Sequence, residues 1–125
     1  MKKIINTPDA PAPIGPYSQA VLIGETLYIS GQIAIVPSSG QIIQDNITNE
    51  TKQVMLNLKN ILKAADMDFS NVIKTTIFLK DMSDFATVNE VYGTNFTKDF
   101  PACETVQAAA LPKNVNVEIS MIAVK

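Results

Sequence analysis

Val115-Asn116-Val117-Glu118-Ile119-Ser120-Met121-Ile122-Ala123-Val124 reads as one long β-strand. Val115, Val117, Ile119, Met121 and Ala123 fall on one face, and Asn116, Glu118 and Ser120 on the other, which is the period of two that a pleated strand imposes. A strand this apolar on one side belongs to a sheet covered by other elements. Glu118 interrupts it from the other side. Such a carboxylate is either a solvent-facing group on an edge strand, as glutamates mostly are, or a partly dehydrated acid whose pKa rises toward values useful in proton transfer.

Working back from this strand, Pro112-Lys113-Asn114 reads as a turn and Thr105–Leu111 as another strand. Pro101 follows the end of a second helix, which Ser83 or Asp81 can cap. Its buried stripe is Phe85, Val88, Val91 or Tyr92, and Phe96. Asn71–Lys80 is β-type and apolar on both faces, with Ile73, Thr75, Ile77 and Leu79 on one of them, so it reads as a central strand. From Thr48 the period is helical: Thr51, Val54, Met55, Leu58, Ile61, Leu62 and Ala65 make one stripe. Asn46 or Thr48 can cap this helix. Glu50 in its first turn and Lys59 and Lys63 near its end suit the helix dipole.

Further upstream, Ala20–Ile23 and Thr26–Ser30 flank Gly24-Glu25, a two-residue hairpin signal. A third strand includes Gly31–Ile35, and Pro37-Ser38-Ser39-Gly40 turns the chain before Gln41–Ile43. Residues 7–16 hold four of the seven prolines and read as an ordered, extended loop. The order is β-β-β-α-β-α-β-β, an α+β domain spanning residues 1–125. Two helices cover only one face of such a sheet, so the other face, carrying Val, Ile, Tyr and Leu, predicts self-association, most simply as a cyclic oligomer.

Composition narrows the chemistry. The 125 residues are 46% hydrophobic and 18% charged, enough for a core in one domain. The charge is formally -2 and the pI about 5.0, with ten lysines, no arginine and no histidine. Such a balance offers phosphate backbones no broad attraction, and nucleic acid is an unfavoured partner. Without histidine, Ser–His and Cys–His nucleophiles are excluded. No carboxylate cluster suits a transition metal. Met1-Lys2-Lys3-Ile4-Ile5 resembles the start of a signal peptide, but Asn6, Pro8, Asp9 and Pro11 end the apolar run. No stretch approaches the roughly 20 apolar residues of a spanning helix. Cys103 has no intrachain partner, which fits a reducing compartment, and cytoplasm is the expectation.

Four further features are candidates, each with a plainer alternative. Tyr17 ends the proline loop, either lining a site or plugging the loop onto the core. Ser30-Gly31-Gln32 either presents backbone to a ligand through Gly31 or is an ordinary strand end. The Asn89 amide, inside the second helix, either meets a ligand or caps a nearby loop. Cys103 either joins a site or is a small inert hydrophobe, and nothing nearby in sequence lowers its pKa from about 8.5.

Together these residues resemble the RidA (YjgF) family of reactive imine and enamine deaminases, over essentially the whole chain. Ala12-Pro13-Ile14-Gly15-Pro16-Tyr17-Ser18-Gln19-Ala20 is similar to the family's opening motif, and Leu27-Tyr28-Ile29-Ser30-Gly31-Gln32 to its next strand. Asp81–Phe85 with Val88-Asn89-Glu90-Val91-Tyr92 matches the second helix. Pro101-Ala102, Val106, Leu111-Pro112 and Val117-Glu118-Ile119 match the C-terminal signature. The resemblance implies a chorismate-mutase-like mixed sheet with two helices on one face, assembled as a homotrimer with pockets between subunits. It implies hydrolysis of 2-imino acids such as 2-iminobutanoate and 2-iminopropanoate to 2-keto acids and ammonia, without metal or organic cofactor. Glu118 would orient the attacking water and pass protons. Tyr17, Ser30, Gly31, Asn89, Cys103 and Thr105 would line the substrate pocket.

One departure bears on substrate binding. After Pro-Ala the family places an arginine that grips the substrate carboxylate in a bidentate pair; this chain has Cys103 there, followed by Glu104. A neutral thiol cannot supply that fork. Losing even one charge-assisted hydrogen bond costs about 1.5–3 kcal/mol, roughly 10- to 150-fold in binding. Lys113 or a lysine from another subunit is the available substitute. Asp66 is a lesser departure, at a helix end where the family often has glycine. The alternative function is a non-catalytic trimer that binds a small metabolite. An endoribonuclease or translation-inhibitor role, names also given to family members, is opposed by the acidic charge.

Overall fold

A computed structural model describes all residues, Met1–Lys125. Its elements are β1 (Lys3–Ile5), β2 (Ala20–Ile23), β3 (Thr26–Gln32), α1 (Ile47–Ala64), β4 (Val72–Leu79), α2 (Phe85–Gly93), β5 (Ala102–Gln107) and β6 (Val117–Val124), with short 3₁₀ turns at Phe69–Asn71, Met82–Asp84 and Pro112–Asn114. The six strands form one mixed sheet in the order β1-β2-β3-β6-β4-β5, in which only β4 and β5 run parallel.

The strand-and-helix order agrees with the sequence reading, but two strands were exchanged in reaching it. Lys3–Ile5, which looks like the start of a leader, pairs with β2 as an edge strand. The expected separate strand at Gly31–Ile35 does not form. Its first residues continue β3, whose pairing with β6 is irregular between Ile29 and Gln32, and Ile35 makes only an isolated bridge to Ile42. β5 begins at Ala102, earlier than Thr105, because parallel pairing to β4 starts at Lys74–Ala102. Ile73 is not on the buried face. A register shift between Val72 and Lys74 turns it outward, 53% exposed.

Both helices lie on one face. The α1 stripe Val54, Met55, Leu58, Ile61 and Leu62 packs into a core with Leu27, Ile29, Ile77, Leu79, Val117, Ile119, Met121 and Ala123. Asn46, not Thr48, caps α1, its side chain accepting from Asn49 N at 2.8 Å. Asp81 caps the 3₁₀ turn that leads into α2, and Tyr92 ties α2 to β4 by donating to Thr75 Oγ1 at 2.9 Å. Phe85, expected in the α2 stripe, is exposed. No element covers the opposite face, where Tyr28, Ile23 and Val106 are exposed. No helix is long and apolar enough to cross a membrane.

Candidate functional site

β6 lies between β3 and β4, so Glu118 is on a central strand and the edge-strand alternative falls. Glu118 pairs with Phe78 on β4 and points to the helix-free face. Burial alone pushes its carboxyl above the ordinary glutamate value, since the half-dehydrated site disfavours the charged form. None of the chain's side-chain hydrogen bonds uses its oxygens (hydrogen bonds of that kind would lower the pKa instead).

Gly31 is required beside it. A methyl group at Gly31 would sit 2.7 Å from Glu118 Oε2 and 2.8 Å from Cδ, so only glycine leaves the carboxylate its place. The two residues share a cleft with Ser30, Tyr17, Gln32 and Pro112. Tyr17 does not plug the core: its ring is 48% exposed, and its hydroxyl accepts from Ile14 N at 3.3 Å. The Ser30 hydroxyl is already committed, donating to Ser18 O at 2.6 Å. Ser30 therefore shapes the cleft and braces the proline loop.

Asn89, Cys103 and Thr105 do not join this cleft. They line a second groove with Phe85, Tyr92 and Phe100, between α2 and the edge strand β5. Cys103 pairs with Thr75 and Thr105 with Ile77, both on the helix-bearing face, opposite Glu118. The sequence-derived residues thus divide into two half-sites on opposite faces of one sheet. The Asn89 amide caps no loop and is free to face the groove. Burial pushes the Cys103 thiol above its ordinary value and the Glu104 charge adds to this, against the Thr105 hydrogen bond and the Lys74 charge. Its sulfur also lies 3.8 Å from Glu104 O. Glu104 itself turns to the open face, paired with Lys74 at 2.8 Å. No lysine lines either half-site, although Lys113 adjoins Pro112 at the rim of the first.

Two side chains that build the first cleft escaped the sequence reading. Gln19 is 2% exposed and Glu50 fully buried, and both are saturated with hydrogen bonds, Gln19 to the proline loop and Glu50 to Asn116 and Val117. In the sequence Gln19 is one residue of a motif and Glu50 an acid in a first helical turn. Their partners lie 8–12 and 66–67 positions away, so no helical or strand period reveals them.

The family model described as "Endoribonuclease L-PSP" matches residues 7–125. The mouse 2-iminobutanoate/2-iminopropanoate deaminase is 54% identical over 125 residues, spanning 100% of this chain and 93% of the mouse protein. The crystal structure of RidA from the Antarctic bacterium Psychrobacter superposes with a TM-score of 0.95 at 41% identity, covering 98% of this chain and 99% of that one. E. coli TdcF, solved with bound serine, gives 0.93 at 40% identity, covering 98% of each chain.

Proposed function

This chain belongs to the endoribonuclease L-PSP family, the RidA (YjgF) family, and from that membership we propose that it is a hydrolase of reactive imines and enamines. The observation that carries the reading is Glu118: a half-buried carboxylate on a central strand, unpaired within the chain and cradled by Gly31. Water attacks the carbon of the protonated imine while Glu118 accepts its proton, giving a neutral tetrahedral aminoalcohol. Glu118 returns that proton to nitrogen, the C–N bond breaks as the hydroxyl proton passes back to Glu118, and a carbonyl compound and ammonia leave. A carboxyl whose pKa burial raises takes up and returns that proton more readily than an ordinary glutamate does. The named substrates of the mouse relative, 2-iminobutanoate and 2-iminopropanoate, are the first to assay.

The working pocket is composite. The Glu118 cleft and the Cys103 groove face away from each other in one chain, so they meet only when the β5 edge of one copy lies against the open face of the next. A cyclic homotrimer satisfies this and covers the apolar open face. Because neither half-site carries a lysine, the carboxylate of a 2-imino acid is held more weakly than an arginine would hold it. We place the protein in the cytoplasm, where such intermediates arise from pyridoxal-phosphate enzymes.

The test couples the protein to a dehydratase that generates 2-iminobutanoate and follows keto-acid formation. Glu118→Gln is expected to lower turnover by about 10²- to 10⁴-fold. Turnover of that variant at the parent rate would overturn the reading. A second reading, a non-catalytic trimer that binds a small metabolite, is favoured by the absence of a cation from both half-sites. Thermal-shift screening separates them: a neutral or cationic ligand that binds tightly without turnover supports the second.

A further inference from the structure

The Glu118 cleft has two walls of irregular backbone, and one buried polar side chain is anchored in or just beyond each. On one side runs the proline loop, which contributes Pro11 and Tyr17. From Asn6 to Ser18 this segment makes little backbone bonding of its own beyond Tyr17 N to Gly15 O at 2.8 Å. Gln19 supplies what is missing. Its Oε1 accepts from Thr7 N at 2.7 Å, and its Nε2 donates to Thr7 O, Ala10 O and Pro11 O at 3.0, 3.2 and 2.9 Å. Its own carbonyl accepts from Ser30 N at 2.9 Å, so the loop is fastened to the strand that carries Gly31.

On the other side the chain enters β6 through Pro112–Asn114, where Lys113 and Asn114 both hold positive φ, 52° and 57°. A left-handed pair of non-glycine residues needs outside support, and here Gln44 Nε2 and Lys80 Nζ donate to Asn114 O and Oδ1 at 3.2 and 3.0 Å. Glu50, in the first turn of α1, grips the chain just beyond. It accepts from Asn116 N and Asn116 Nδ2, each at 2.8 Å, and from Val117 N at 3.2 Å. Asn116 is two residues before Glu118. A slip of one residue here would turn Glu118 to the opposite face.

Burying an amide and a carboxylate so completely costs solvation that an apolar pair would not. Gln19 pins the proline loop and Glu50 the entry to β6, two segments bordering the cleft. We propose that Gln19 and Glu50 are positioning residues for the reaction, Gln19 fixing the wall that receives substrate and Glu50 aiming the strand that carries Glu118. This rests on the deaminase reading above, and its test is chosen to fail separately.

Steady-state kinetics on dehydratase-generated 2-iminobutanoate, with pH profiles, are measured for the parent, Glu118→Gln, Gln19→Leu, Gln19→Glu, Glu50→Gln and Asn116→Ala. Gln19→Glu keeps the acceptor for Thr7 N and loses the three donations; Asn116→Ala removes one Glu50 contact from the strand side. These two serve where the other variants fold poorly. The Gln19 variants are expected to raise KM about tenfold with kcat nearly kept. The Glu50 and Asn116 variants are expected to lower kcat about tenfold and displace the kcat–pH profile with KM nearly kept, as a small misplacement of a catalytic group does. Variants that lose only melting temperature, with KM and pH profile unchanged in the folded protein, would overturn the proposal while leaving Glu118 catalytic. A Glu118→Gln enzyme that works normally would instead remove the deaminase reading itself.

Discussion

The two half-sites are built to different standards. Around Glu118 the backbone is fixed: the strand is central, Gly31 lies against the carboxylate, and saturated polar anchors hold the loop and the entry to β6. Around Cys103 less is fixed: the strand is an edge, and Phe85 and Phe100 are exposed. The first region lies on a central strand and the second on the edge of the sheet. The contrast teaches that the proposed base is placed by the interior of the fold, whereas the groove around Cys103 is placed by an edge. Rigid elements position chemistry more accurately than edges do.

The sharpest way to break the contrast is to spoil the fixed side with one methyl group. Gly31→Ala puts Cβ within 2.8 Å of both Glu118 Oε2 and Cδ, and the carboxylate has to move. Turnover is expected to fall about 10²-fold, the usual cost of an ångström-scale displacement, with the melting temperature changed far less. Kinetics beside a melting curve check this. A rate within twofold of the parent would show that the cradle does not set the geometry.

The loose side is tested by filling it. Cys103→Arg adds a guanidinium to the β5 groove, where Glu104 cannot neutralise it closely because it faces the other way and binds Lys74. Affinity for 2-iminobutanoate is expected to rise by about tenfold or more, read as a lower KM. A neutral imine of similar size should gain little. Equal gains on both would mean the groove does not meet the substrate carboxylate.

How much of this was legible in the sequence follows the same division. The alternation Val117-Glu118-Ile119 fixed Glu118's face relative to its neighbours, and the α1 stripe located the core. Strand order is a long-range property, so periodicity could not tell that β6 is central or that β5 is an edge. The separation of Glu118 from Cys103 was invisible for that reason: each alternates correctly within its own strand, and only the sheet reveals that they face opposite ways. Gln19 and Glu50 were hidden because their partners lie up to 67 positions away. Lys3–Ile5 was misjudged because its partner strand, not its composition, makes it a strand.

A smaller effect separates the cost of the fixed side from its use. Burial raises the Glu118 pKa in the folded state, so the native protein binds more protons than the unfolded chain between the ordinary value of 4.5 and the raised one. Stability from this group is therefore lost as pH rises through that window, and the deficit stays constant above it. Glu118→Gln removes the deficit. At neutral pH that variant is expected to melt higher than the parent, with the difference vanishing below about pH 4. Melting curves across this range check the sign, and a variant less stable at neutral pH would contradict it.

The smallest effect lies in neither half-site, and so serves as a control for both. After α1 the chain turns at Asp66, whose φ of 58° is left-handed, while Met67 N reaches back to Leu62 O at 2.9 Å. This is the helix end that glycine favours, and aspartate occupies it at a steric cost. Asp66→Gly is expected to stabilise the fold by about 0.5 kcal/mol, roughly 2 °C in Tm. Turnover should not change, because α1 acts on the cleft through Glu50 at its opposite end. A change in kcat without a change in Tm would mean that the C-terminal end of α1 is also coupled to Glu118, and the boundary drawn around the fixed half-site would have to widen.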